Sequence, residues 1–382
     1  MAFVYLDHAA TTPLDPRVRE AMLPWLGERF GNPSSRHKPG VAAAQAIEAA
    51  RASVARAIGA RRDEVVFTSG GTEANALAVL GGARARREKG RHVLVGPTEH
   101  ACVRESALAL AREGFEVETL RLDARGALDL EHAAGRMRAD TVLVAQMLVQ
   151  NEVGTIYPVR ELARAVRARS KHALVHVDAV QALGKLELDV EALGCDTLAL
   201  SAHKAHGPQG AGALFVRANT AIDPLVHGGG QERGLRSGTP NVAAIVGFGA
   251  AAQFAEDERP EHERALRALR AELVAGLARF PSIRLFDRGA TAPHIAALLV
   301  PGVPSEVRMH HLEERGVVVS AGSACQAQKA AISPSLLALG LTPDEARTML
   351  RLSFSHTTTA MDVEAFLAAL HAVESRLASA KT

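Results

Sequence analysis

Between residues 65 and 216, short apolar runs alternate with longer segments whose apolar positions recur every three or four residues. That is the rhythm of βα units around a mostly parallel sheet. Seven runs read as strands: VVFTS (65–69), HVLVG (92–96), FEVETL (115–120), TVLVAQM (141–147), ALVHVD (173–178), DTLAL (196–200) and GALFV (212–216). They are almost continuously apolar rather than strictly alternating, as befits strands covered by helices on both faces. Segments 73–89 and 159–169 read as intervening helices. Before residue 65 the chain reads as largely helical, with GNPSS (31–35) as a turn and 42–58 as an Ala-rich amphipathic helix. Beyond Asn241 the texture changes: 243–280 reads as a long helix broken at Pro260, and strand-like pieces follow at 295–300 and 317–319. The pattern predicts an α/β fold, with a seven-stranded, mostly parallel sheet in a large domain (16–258) and a smaller α/β C-terminal domain (259–382). The N-terminal segment, 1–15, is expected to pack with the smaller domain.

Composition narrows the function classes. Of 382 residues, 47% are hydrophobic and 23% charged, and 44 basic side chains nearly balance 42 acidic ones. This is a globular balance, with no bulk charge pointing to a polyanion, and only 4% of residues are aromatic, too few for a base-stacking platform. Direct contact with nucleic acid is therefore not expected. Cys102, Cys195 and Cys325 lie far apart with no C-x-x-C pair, which excludes a disulfide framework and a zinc site of ordinary spacing. No resident metal is expected. MAFVYLDHAATTP lacks the basic start and apolar core of a secretory signal, and no apolar stretch approaches the roughly 20 residues of a membrane span. A cytoplasmic protein with no membrane association is the expectation.

In an open α/β sheet, ligands bind beyond the carboxyl ends of the strands, and three informative patches fall there. Thr68-Ser69-Gly70-Gly71-Thr72-Glu73 ends a strand and opens a helix, offering free backbone N–H groups and hydroxyls to a phosphate. It is neither a dinucleotide fingerprint nor a P-loop, and by itself reads equally as a turn with Thr72 as N-cap. Asp178 closes ALVHVD, where a carboxylate can hold a cationic ring nitrogen, a magnesium ion or a ribose hydroxyl. Lys204 follows DTLAL in Ser201-Ala202-His203-Lys204, where a sheltered amine can form a Schiff base, although a surface lysine in a turn is the commoner case. A phosphate-binding helix start, a carboxylate for a pyridine nitrogen and a Schiff-base lysine are together what pyridoxal 5'-phosphate requires.

The chain resembles the cysteine desulfurases of the class V, fold-type I pyridoxal-phosphate enzymes. The resemblance runs through YLDHAATTP (5–13), GNPSS (31–35), FTSGGTEANALA (67–78), TEHACV (98–103), QNEVG (150–154), HVDAVQALGKL (176–186), SAHKAHGPQGAGALFV (201–216), HGGGQERGLRSGTPN (227–241), SAGSAC (320–325) and RLSFS (351–355), nearly the whole chain. It implies that Lys204 binds the cofactor and shuttles the substrate α-proton, and that Asp178 pairs with the pyridine N–H. Gln181 and Asn151 would approach the ring's phenolic oxygen, and Gly71, Thr72, Ser201 and His203 would surround the phosphate. His100 would stack over the ring, with acid–base work on the sulfur as a second role. Thr239 would reach the phosphate of a partner subunit in a homodimer. Arg351, with Asn32 near the same group, would hold the substrate carboxylate.

Cys325 would accept the sulfur of L-cysteine as a persulfide, leaving L-alanine, and pass it to an iron–sulfur scaffold or a tRNA-thiolation protein; an iron–sulfur cluster would meet it only during transfer. Cys102 and Cys195 match no catalytic position and are expected to be structural. Leu148 and Gln150 stand where His and Asn are common in housekeeping members, Gln209 where Lys is usual and His356 where Arg is usual. These departures bear on the sulfur acceptor. The same cofactor site would also suit a selenocysteine lyase, a cysteine sulfinate desulfinase or a class V aminotransferase, and a catalytically silent scaffold would retain the same fold.

Overall fold

The computed structural model describes residues 3–322 and 332–379. Among them run β1 (Val4–Tyr5), β2 (Val65–Thr68), β3 (His92–Val95), β4 (Glu116–Thr119), β5 (Thr141–Met147), β6 (Leu174–Asp178), β7 (Thr197–Ser201), β8 (Gly212–Val216), β9 (Arg284–Leu285), β10 (Ile295–Leu299), β11 (Val317–Val318) and β12 (Met349–Ser353). The seven predicted strands all form and join one sheet in the order β2-β8-β7-β6-β5-β3-β4. β8 is antiparallel to both its neighbours and the other pairs are parallel.

Their composition explains their place. β5 to β8 are buried along their whole length, and successive residues feed opposite cores: Leu198 and Leu200 pack on one face with Val175 and Phe248, while Ala199 packs on the other with Leu174 and Leu214. β4 lies at an edge and is mostly exposed or half-buried. The helical run expected over 243–280 is two helices, Val242–Asp257 and Arg259–Leu277, the second with proline in its first turn, where the missing N–H costs nothing.

A three-stranded antiparallel sheet, β12-β10-β9, has its own core, in which Leu298, Leu350 and Leu352 pack against Leu266, Phe366 and Leu370 of the helices Arg259–Leu277 and Ala360–Ser379. The two residues of β1 pair in parallel with β11, Val4 opposite Val317. From there the chain runs back across the large sheet, where the Thr12 N–H donates to the His203 carbonyl at 3.0 Å. No described helix is long and apolar enough to cross a membrane.

Candidate functional site

Parallel β5, β6 and β7 lie side by side, so Met147, Asp178 and Ser201 emerge at one edge, around a cavity of ≈ 260 Å³. Asp178 is 5% exposed; its Oδ1 accepts the Val180 N–H at 3.0 Å and its Oδ2 the Asn75 amide at 2.8 Å. Burial raises its pKa, opposed chiefly by the charge of His100. After Ser201 a tight turn, Ala202–Lys204, brings the Lys204 Nζ to the carbonyls of Ala9, at 2.6 Å, and Ala10, at 2.5 Å. Beneath it the buried Lys185 Nζ donates to the Lys204 carbonyl, and burial first, then the Lys204 charge, pushes Lys185 down to about 7.

The helix expected near residue 72 begins at Gly71, with Gly70 rather than Thr72 at the N-cap. A Cβ on Gly71 would lie 2.8 Å from Val180 and 3.4 Å from Ser201, so glycine lets this helix start approach the strand ends. Gly71, Thr72, Ser201 and His203 all line the cavity. His203 is tied to Thr11 Oγ1 at 3.0 Å, and burial, with Lys204 and Lys185 nearby, pushes it down to about 4.

His100 caps the helix Ala101–Arg112, its Nδ1 accepting the Cys102 N–H at 3.2 Å, and burial lowers its pKa. Gln181 donates to the Ala9 carbonyl at 2.9 Å, and its Oε1 is buried without a partner. Gln150 Oε1 accepts the N–H groups of Glu152 and Val153, shaping the turn that presents Asn151 to the cavity. From the small sheet, Arg351 closes the site. It is 2% exposed, pairs with Asp7 at 2.6 Å, donates to the Asn151 carbonyl at 2.8 Å and keeps a buried Nε without a partner. Its backbone bridges to Ser320, two residues before Gly322, after which the chain leaves the described residues; Cys325 lies outside them.

Two expected residues are not brought to this cavity within one chain. Asn32 is exposed, its Oδ1 accepts the Ser34 N–H at 3.0 Å in the GNPSS turn, and it does not line the cavity that Arg351 lines. Thr239 is also exposed. Its loop is anchored elsewhere, by Arg236 to Glu73 at 2.9 Å and by Glu232 to the Phe67 N–H at 2.8 Å. Conversely, Asn75 and the Ala9 and Ala10 carbonyls contribute to the site without having been assigned a role, and Cys102, expected to be structural, lines the cavity. Only their presence inside the quoted motifs could have flagged them.

A buried carboxylate and an amine on neighbouring strand ends, beside a helix start opened by glycine, define a pyridoxal-phosphate enzyme of fold-type I. The chain belongs to the aminotransferase class-V family, whose sequence profile matches residues 4–366. It falls among the cysteine desulfurases of that family. Its sequence is 40% identical over 98% of both chains to cysteine desulfurase IscS 1 of Archaeoglobus fulgidus. Among solved structures it is similar to a NifS-like protein, with TM-score 0.92, 36% identity and 98% and 99% of the two chains covered. It is also similar to SspA in complex with cysteine, with TM-score 0.80, 34% identity and 92% and 98% covered.

Enzymes of this family use pyridoxal phosphate, and the residues present fit it. A buried acceptor at Asp178, an orphaned Gln181 Oε1, a cradle at Gly71 that a Cβ would fill and the Lys204 amine face one cavity. Among the described residues no group of three or more His, Cys, Asp or Glu side chains is arranged to hold a metal.

Proposed function

We propose that this cysteine desulfurase removes sulfur from L-cysteine through Lys204, Asp178, His100 and Arg351, and carries it as a persulfide on Cys325. The observation that supports this reading most is the convergence of Lys204 and Asp178, from the large sheet, with Arg351, from the small one, on one cavity. Pyridoxal phosphate, when bound, supplies a carbonyl carbon for the substrate amine and an electron sink for charge developing at Cα. Lys204, whose Nζ lies against the Ala9 and Ala10 carbonyls, would hold the cofactor and, once the substrate amine has displaced it as a neutral amine, take and return the Cα proton. Asp178 accepts the ring N–H, and its two backing donors keep the carboxylate aimed. Gly71, Thr72, Ser201 and His203 hold the phosphate, and Gln181 and Asn151 the phenolic oxygen.

Arg351 receives the substrate carboxylate with the N–H groups left over from Asp7 and Asn151, a task suited to its planar fork. His100, which lines the same cavity, would lie against the ring and serve as the acid–base group for the sulfur. The Cys325 thiolate then attacks the substrate sulfur: an S–S bond forms, the C–S bond breaks, and L-alanine departs after protonation.

Thr239 would complete the phosphate site of a partner in a homodimer. Residues 16–258 would form the large domain and 259–382 the small one, with 1–15 on the latter. The separate cores and the β1–β11 pairing favour this division. A cytoplasmic location and delivery to an iron–sulfur scaffold or a tRNA-thiolation protein complete the reading. The test is alanine and sulfide released from L-cysteine plus a reductant. Equal amounts are expected from the wild type and almost none from Cys325→Ser; a Cys325→Ser variant that keeps full release would refute the sulfur-carrying step.

A further inference from the structure

A chain of hydrogen bonds runs from the buried large sheet to the half-buried His100 at the cavity, and its proton directions can be assigned. Burial pushes His176 down to about 3, so its ring is neutral. Thr197 Oγ1 lies 2.9 Å from its Nδ1 and Asn75 Oδ1 lies 2.8 Å from its Nε2. An amide oxygen can only accept, so His176 carries its proton on Nε2 and Thr197 donates to Nδ1. The Asn75 amide nitrogen then faces Asp178 Oδ2 at 2.8 Å and Cys102 Sγ at 3.3 Å, donating to both. Cys102 Sγ in turn lies 3.0 Å from His100 Nδ1, which also accepts the Cys102 backbone N–H. A backbone N–H can only donate, so Nδ1 bears a lone pair, and burial pushes the thiol up to about 12, keeping S–H available as the second donor.

We propose that Cys102 is a positioning residue for the reaction: its S–H, oriented by Asn75, is a second donor to His100 Nδ1 beside the Cys102 backbone N–H, and together they hold the ring neutral with its proton on Nε2. Asn75 thereby aligns two groups of the site at once, the Asp178 carboxylate and the His100 ring. Cys102 is on this view neither a spectator of the core nor a sulfur carrier. The inference rests on the reading that His100 acts at the bound cofactor.

Charges that bear on His100 come from Asp178 on β6, Lys204 after β7, Arg104 on the helix His100 caps and Glu152 beyond β5. All four remain in Cys102 variants, so a change on substituting Cys102 reports the thiol. The holoenzyme, labelled with ¹⁵N-histidine, is titrated by NMR as wild type, Cys102→Ala and Cys102→Ser, with His100 assigned by its absence in His100→Gln. Wild type is expected to carry its proton on Nε2. Losing one of two donors to the neutral ring raises the His100 midpoint in Cys102→Ala by about 0.5–1 pH unit, and the serine hydroxyl restores it. A wild-type ring protonated on Nδ1, an alanine variant that titrates with the wild type, or a serine variant that shifts as far as alanine would overturn the proposal. Absence of cofactor absorbance in the wild type would instead count against the proposed function.

Discussion

Glu99 precedes His100 in the chain and is 3% exposed, with Oε1 accepting the Met147 N–H at 2.5 Å and Oε2 buried without a partner. Burial first, and the charge of Asp178 second, push its carboxyl from 4.5 up to about 8. Its folded pKa thus exceeds the unfolded one. The stability it contributes is fully present below pH 4.5 and is lost as pH rises through 8, because the native chain holds a proton that the unfolded chain has released. At 1.36 kcal/mol per pH unit, the gap between 4.5 and about 8 corresponds to about 5 kcal/mol, of which about 4 fall between pH 5 and pH 9.

Glu99→Gln keeps the oxygen that faces Met147 and removes the titration. With unfolding entropy near 2.1 cal/mol/K per residue, 382 residues give about 0.8 kcal/mol/K, so the melting temperature of the variant relative to wild type should rise by about 5 °C from pH 5 to pH 9. Calorimetry of both proteins at the two pH values measures this. A difference that stays constant with pH would refute the argument that Glu99 is buried as the neutral acid.

Removal of the guanidinium in Arg351→Ala should raise KM for L-cysteine by roughly 10- to 100-fold, the worth of a charge-assisted pair, and an unchanged KM would exclude Arg351 from the carboxylate role. Arg51 grips Glu232 with both Nη groups, at 2.7 and 2.8 Å, with side chains 11% and 6% exposed. Arg51→Met leaves that carboxylate without its guanidinium, with the Phe67 N–H still donating to it, and should cost about 3–5 kcal/mol in denaturant unfolding; a loss below about 1 kcal/mol would mean that water reaches it.

The large sheet was legible because its strands are buried on both faces, which writes apolar runs that survive without alignment. β12 was not read as a strand: its central Arg351 interrupts the apolar run MLRLS, yet all five residues are buried, with both Nη groups of the guanidinium held by partners from distant parts of the chain. β1 is two residues long, and its strand partner is β11, more than three hundred residues later. The site divides along the same line. Asp178, Ser201 and Lys204 could be read because each ends or follows a strand. Asn75 sits in an Ala-rich helical stretch and gains its role only from packing against β6, and the carbonyls that hold Lys204 belong to alanines, whose side chains say nothing of it.

The strap that crosses Lys204 also gives the enzyme an order of assembly. Ala9 N–H donates to Ser353 Oγ, 344 residues away, and Asp7 meets Arg351 across the same separation. At synthesis rates of about 5–20 residues per second, the first strand waits roughly 15–60 s for the stretch of chain that pairs with it. The large sheet, Lys204 and the Ala9 and Ala10 carbonyls are all present in the chain long before that, while the Arg351 wall is not. The cavity therefore gains its last wall, Arg351, only when nearly the whole chain has been made.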